Sequence, residues 1–194
     1  IHRIKCGGFS FCICGQGLNF VREQNTPYDV MHGGKNMNYS SNRLEDFEFH
    51  DAKCTLHFYN ENTLSFFVQH LNIHHNAEQN PFDDDMEIGT AVMTLEGFHL
   101  QSFCTDNSLI IDEKGKQSTV PPAVFKGENA LDKLLDELQS EIWIFDLGQM
   151  DQTAYYMDAG AIEPFFTLVF SFDRVTIEWD SYLQKAWYTQ RRKI

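Results

Sequence analysis

The sequence predicts an α+β fold, mainly antiparallel β-sheet with one amphipathic helix around 129–141, and three observations carry that expectation. From Leu44 onward apolar residues recur at every second position, the period of half-buried strands. Short clusters of turn-forming residues, such as Asn60-Glu61-Asn62 and Glu96-Gly97, divide that alternation into pieces of strand length. Only once does the period change to 3.6, where Leu131, Leu134, Leu135 and Leu138 fall on a single stripe.

Taken in order, Phe47 and Phe49 share one face of a first strand. Cys54, Leu56 and Phe58 share one face of the next, and Leu64, Phe66 and Val68 resume after the turn, so residues 54–71 read as a hairpin. His74 to Asp85 is polar, contains Pro81 and three consecutive aspartates, and reads as an exposed loop. Met86 to Leu95 reads as one further strand. Phe98, Leu100 and Cys104 alternate after the Glu96-Gly97 turn, which completes a meander of four or five strands. Residues 105–127, with Lys114-Gly115-Lys116 and Pro121-Pro122, read as loop. The helix follows, with Asn129 as N-cap and Asp132 in a capping-box arrangement. Ile142 to Leu147 returns to strand. Phe166, Leu168, Phe170 and Phe172, a turn at Asp173-Arg174, then Val175, Ile177 and Trp179 read as a terminal hairpin. The segment from Tyr182 to Tyr188 closes the body, and Arg191-Arg192-Lys193 reads as a solvated basic end.

The 194 residues suit one domain, with 17 Phe, 7 Tyr and 3 Trp to build its core. Composition shifts near residue 37. Residues 1–36 carry a net charge of +2, which leaves −15 for the remaining 158. This glycine-rich head shows no amphipathic period. We read it as a doubtful N-terminal arm, residues 1–36, ahead of a single β-rich domain, residues 37–194. Gly33-Gly34 upstream of Met37 fits upstream sequence read in frame before a true start at Met37. The other reading is a genuine, loosely ordered arm or a remnant.

A net charge of −13 argues against a nucleic-acid partner, which needs a basic surface to displace counterions, and against docking on anionic membrane. The longest apolar stretches are a handful of residues, short of the roughly 20 that span a bilayer. Five cysteines, an odd number, do not describe a disulfide framework, so the expectation is reduced thiols in a cytoplasmic protein.

No nucleophile elbow, phosphate loop or dinucleotide fingerprint occurs. Cys6, Cys12 and Cys14, with His2 and His32 nearby, lack the paired spacing of a zinc site, so neither a metal nor another cofactor is expected. His50-Asp51 resembles the adjacent pair of metal-dependent phosphohydrolases, but on a strand neighbouring side chains point to opposite faces. A hydrolase using His50, His74 and Asp84 is the alternative to the main expectation, a non-catalytic acidic protein. For a partner-binding surface the candidates are Asp83, Asp84, Asp85 and Glu87, whose mutual repulsion a cationic partner would relieve. The aromatic tail at Trp179, Trp187 and Tyr188 is the second candidate. Cys54 and Cys104 read as core thiols.

Two strings carry a resemblance. Leu44-Glu-Asp-Phe-Glu-Phe-His-Asp-Ala52, followed by Leu95-Glu-Gly-Phe98, resembles the Phe-His-Asp-Ala/Ser opening of small bacterial proteins of unknown function, some of which look like immunity proteins of polymorphic-toxin systems. Ile177-Glu-Trp-Asp-Ser-Tyr-Leu-Gln-Lys-Ala-Trp-Tyr188 resembles the closing segment of similar proteins. The resemblance spans about a third of the chain, implies a β-rich domain, and transfers no catalytic residue. What it implies about function is an immunity-type role against a basic partner such as a toxin domain. Oligomeric state and partner identity stay open.

Overall fold

The computed structural model describes residues 5–6, 9–10, 37–111, 115–161 and 165–189. Cys12, Cys14, His2, His32, Lys114 and Arg191-Arg192-Lys193 lie outside them. The chain divides into two compact units, Ile1–Gly34 and Lys35–Ile194. In the first, β1 (Lys5–Cys6) pairs antiparallel with β2 (Phe9–Ser10).

The second unit is β-rich α+β, with one α-helix among the described residues. Its strands are β3 (Tyr39–Ser41), β4 (Phe47–Glu48), β5 (Lys53–Asn60), β6 (Thr63–Gln69), β7 (Asn72–Ile73), β8 (Met86–Ile88), β9 (Ala91–Glu96) and β10 (His99–Thr105). They continue with β11 (Ser108–Ile111), β12 (Gln117–Val120) and β13 (Ala123–Phe125), helix α1 (Glu128–Glu137), then β14 (Ile142–Gln149), β15 (Tyr155–Gly160), β16 (Phe166–Ser171), β17 (Arg174–Trp179) and β18 (Tyr182–Lys185). The main sheet runs β13-β10-β16-β15-β14-β5-β6-β9-β17-β3, a smaller one runs β18-β8-β7-β4, and β11 pairs with β12.

One antiparallel ladder organises all of this. Tyr182 pairs with Ile88 in the small sheet, Arg174 with Glu96 in the main sheet, and Ser171 with His99 further on. From Ile88 to Leu100 the three pairs keep one register across both corners, with shifts only beyond them at Tyr182/Gln184 and Leu100/Ser102, so β8–β9–β10 and β16–β17–β18 form a single ribbon bent at two corners. Neither corner is a hairpin. The pairs β9/β10 and β16/β17, which the sequence presents as strand–turn–strand, do not pair with each other, so the expected terminal hairpin and the last step of the meander are corrected. Met86 to Leu95 is likewise two strands, broken at Gly89-Thr90.

Both corners use the same device. At the first, a Cβ on Gly89 would collide with the Asp180 carboxylate and come within 2.8 Å of Ser181 Oγ. At the second, a Cβ on Gly97 would fall on the Asp173 carboxylate and reach the Asp173 Cβ at 2.9 Å. Gly97 also has φ +68°, a conformation that disfavours any side chain. The Asp173 amide then donates to Glu96 O (2.8 Å), and Arg174 forks both Glu96 carboxylate oxygens at 2.5 and 2.7 Å. A glycine on one strand facing an aspartate on the other lets the ribbon fold sharply without breaking register.

Because β16 passes through its corner into β17, the pairings β9-β6-β5-β14-β15-β16 return to the ladder they start from. The result is a barrel-like closed ring, which removes most sheet edges. Its narrowest seam is β5/β14, paired at Ile142–Cys54 and Trp143–Lys53. There the Leu56 amide donates to Leu138 O (3.0 Å), tying the end of the helix to the seam. The core draws on both sheets and the helix: Trp179, Phe103, Phe166, Leu64, Ile73, Ile88 and Leu134 are all fully buried in one cluster. Burial pushes the Cys54 thiol up to about 12, while Cys104 is half-buried.

The helix starts at Glu128 after Gly127 (φ +60°), so Gly127 is the N-cap and Asn129 lies inside the first turn. Leu134, Leu135 and Leu138 are buried and Leu131 is partly so, as the stripe predicts. Residues 105–127 hold three short strands rather than loop alone, and β15 was not legible as a strand. Among the described residues no helix is long and apolar enough to cross a membrane.

Candidate functional site

The acidic segment turns inward to hold its own chain. Asp85 accepts hydrogen bonds from the His75 amide and ring (both 2.7 Å), the His74 ring (3.3 Å) and the Tyr188 hydroxyl (3.0 Å). Burial opposes its ionisation, but these donors outweigh it and hold the carboxyl at about 2. Asp84 pairs with Lys185, and Glu87 meets His70 (2.9 Å) and Gln184 (2.6 Å). The Ala186 amide donates to Asp85 O at 2.8 Å. Asp84, Asp85 and Glu87 therefore form a clasp that fastens β18 and the residues after it, and only Asp83 of the four is fully exposed. Lys185 and the surrounding donors thus relieve the repulsion among these three carboxylates from within the chain.

The aromatic tail divides. Trp179 is 0 % exposed, packed between Tyr39 (5.6 Å) and Phe47 (5.6 Å), so it is core and not a contact surface. Tyr188 is half-buried beneath its bond to Asp85, with burial and that carboxylate raising its hydroxyl far above the usual range. Trp187, 41 % exposed, stands edge-on to Tyr188.

Each of the three hydrolase candidates is bonded to another partner. His50 donates from Nδ1 to Phe145 O (2.6 Å), while His74 and Asp84 serve the clasp. Asp51 takes φ +67° and lies 3.7 Å from His50 Nε2. Among the described residues no three His, Cys, Asp or Glu side chains are grouped to hold a metal ion.

A different surface concentrates charge and exposed apolar area, the outward face of β14, β15 and β16. Asp146 and Asp158 stand directly opposite each other, in a cross-strand row that continues through Thr167 and Cys104 to Val124. Like charges so placed destabilise a sheet. Local donors soften this: Tyr156 OH reaches Asp146 (2.7 Å) and Thr167 Oγ1 reaches Asp158 (2.6 Å). The bond to Asp146 raises the Tyr156 hydroxyl above its ordinary value.

Aromatic rings bracket the pair. On one side the Tyr156 ring lies over Gly148, and on the other the Phe165 ring lies over Gly160, each where a Cβ would otherwise sit. Phe145 meets Phe165 edge to face at 5.2 Å, the two being 37 % and 41 % exposed. Nearby, Trp143 carries the Lys53 ammonium over its ring at 4.3 Å. His50 lies at the margin. Its bond to Phe145 O raises its pKa most, burial opposes, and the negative charges of Asp51, Glu48 and Asp146 add to the rise.

No family model, curated protein or solved structure matches this chain. The site has to be read from its own chemistry. Sequence reading missed it because Phe145 is a bulged residue that reverses the inside–outside parity of β14 between Ile144 and Asp146. A visible signal was Asp146 and Asp158 on either side of an Asp-Gln-Thr turn segment at 151–153.

Proposed function

We propose that this is a non-catalytic acidic protein that binds a basic protein partner, in the manner of an immunity-type inhibitor covering a cationic toxin domain. The observation that carries this reading is the Asp146–Asp158 pair framed by the exposed rings of Phe145 and Phe165 and by Tyr156. Two carboxylates held face to face across strands cost the free protein stability. A Lys or Arg from a partner entering between them would remove that cost. Aromatic rings are enriched at interface centres, and here their large rigid side chains would exclude water from the ion pair. The overall charge of −13 would steer a cationic surface toward this face. Charge complementarity of this kind gains mainly association rate and specificity.

The test is affinity capture with the wild-type chain and the Phe145→Ala/Phe165→Ala variant side by side. The reading expects a protein of high isoelectric point that is retained by the wild type and lost by the variant. When both proteins are purified, the complex should re-form, and co-expression should relieve any toxicity of the partner. Recovery of no basic protein, or equal retention on the variant, overturns it.

A further inference from the structure

We infer that the cleft at the second ribbon corner is a site for a single guanidinium group, an arginine side chain of a polypeptide. It is lined by Asn42, Leu44, Glu45, Tyr155, Phe172 and the Asp173-Arg174-Val175 corner, with a volume of about 250 Å³. Tyr155 points opposite to Tyr156 and Asp158 along β15, so this cleft is separate from the face described above and stands independently of its function.

Size comes first. Pockets for whole cofactors and drug-sized ligands run from roughly 300 to 1,000 Å³, so this one takes a single side chain or a fragment. Wall chemistry comes next. Tyr155 and Phe172 stack at 4.6 Å and extend to Phe170, giving an aromatic platform. The rim carries the carboxylates of Glu45 and Asp173, both exposed. Arg174, the one lining cation, is already forked by Glu96, which leaves little for an anionic ligand. Arg43 is similarly shared between Glu45 (3.1 Å) and Asp46 (3.4 Å). Among the lining residues Glu45 and Asp173 outnumber Arg174, whose charge Glu96 already holds, so the cleft stays negative. An aromatic platform under a negative rim is complementary to a flat cation, which stacks on rings while its N–H groups reach carboxylates.

The test titrates the isotope-labelled full chain with N-acetyl-arginine amide, with the neutral isostere N-acetyl-citrulline amide, and with free L-arginine, following backbone amides. The capped arginine should saturate shifts at Glu45, Tyr155, Asp173 and Val175 with an affinity on the order of millimolar, and the citrulline analogue should bind at least roughly fivefold more weakly. Phe172→Leu should weaken binding roughly fivefold. Glu45→Gln, an exposed change that leaves the fold intact, should weaken it roughly threefold. Equal binding of citrulline, shifts elsewhere, or affinity unchanged by Glu45→Gln overturns the site. Free arginine binding about tenfold tighter than the capped form, a difference of about 1.4 in kcal/mol, overturns the polypeptide source.

Discussion

Replacing Gly97 by alanine tests the bent ribbon at its sharpest point. Three glycines separate the two costs involved. Gly115 has φ +76° and open space around its Cβ position, so Gly115→Ala measures backbone strain alone, about 1–2 kcal/mol. Gly89 has no positive φ but would meet Asp180 and Ser181. That carboxylate can swing away at the expense of its bond from Ser181 (2.8 Å), so about 1 kcal/mol is expected. Gly97 carries both costs, and because even the Cβ of Asp173 would be approached to 2.9 Å, rotation of the carboxylate does not relieve it. Adding strain to overpacking gives about 3 kcal/mol, or roughly 6–12 °C in Tm for a chain of this size. Urea unfolding followed by tryptophan fluorescence is the assay. Asp173→Gly, which removes that Cβ as well as the carboxylate, should restore the packing part in the Gly97→Ala background, about half the loss, and leave the strain. A Gly97→Ala variant no less stable than Gly115→Ala, or one that Asp173→Gly fails to rescue, would refute the corner as described.

Asp85, held at about 2 against an ordinary 3.8, contributes stability that is complete above about pH 4 and is lost as pH falls through 2. Its side chain is only 13 % exposed, so the shift converts to about 2 kcal/mol; the wild type should lose that much more than Asp85→Asn between pH 5 and pH 2, measured by urea midpoints. Asp84→Lys combined with Asp85→Lys should unfasten the clasp, and chymotrypsin should then cut between Tyr182 and Tyr188 far faster than in the wild type; equal digestion would argue against the clasp. Leu135→Asp places an unpaired charge where the side chain is 6 % exposed, and should lower stability by several kcal/mol. Retention of the wild-type Tm would show that the helix stripe is not core.

Features set by neighbours in sequence were legible; features set by distant partners were not. The helix announced itself because Leu131, Leu134, Leu135 and Leu138 define one face without reference to anything else. The β5/β6 hairpin was legible for the same reason, since its turn lies between the strands it joins. At Glu96-Gly97 and Asp173-Arg174 the same pattern, two alternating runs around a short break, accompanies a bend. Whether a chain reverses or bends there depends on a partner strand over seventy residues away, which alternation cannot reveal. Trp179 shows the complementary limit: period 2 sorts side chains into two faces but does not say which face is inside. Asp84 and Asp85 looked like unrelieved charge because Lys185 and Tyr188, which meet them, are about a hundred residues on. The Asp146–Asp158 face was hidden by the bulge at Phe145 and by β15, whose Tyr-Tyr-Met-Asp-Ala-Gly sequence does not alternate in polarity.

The central claim, that an acidic face on β14–β16 receives a basic partner, is tested most directly by association kinetics with the basic protein that affinity capture recovers. Stopped-flow rates are compared for the wild type, Asp146→Asn/Asp158→Asn and the exposed control Asp83→Asn, at ionic strengths of about 0.02 and 0.15 M. The account predicts that the double variant associates roughly tenfold more slowly at low salt with a flatter salt dependence, and that Asp83→Asn follows the wild type. Equal rates and equal salt dependence for the wild type and the double variant would contradict it.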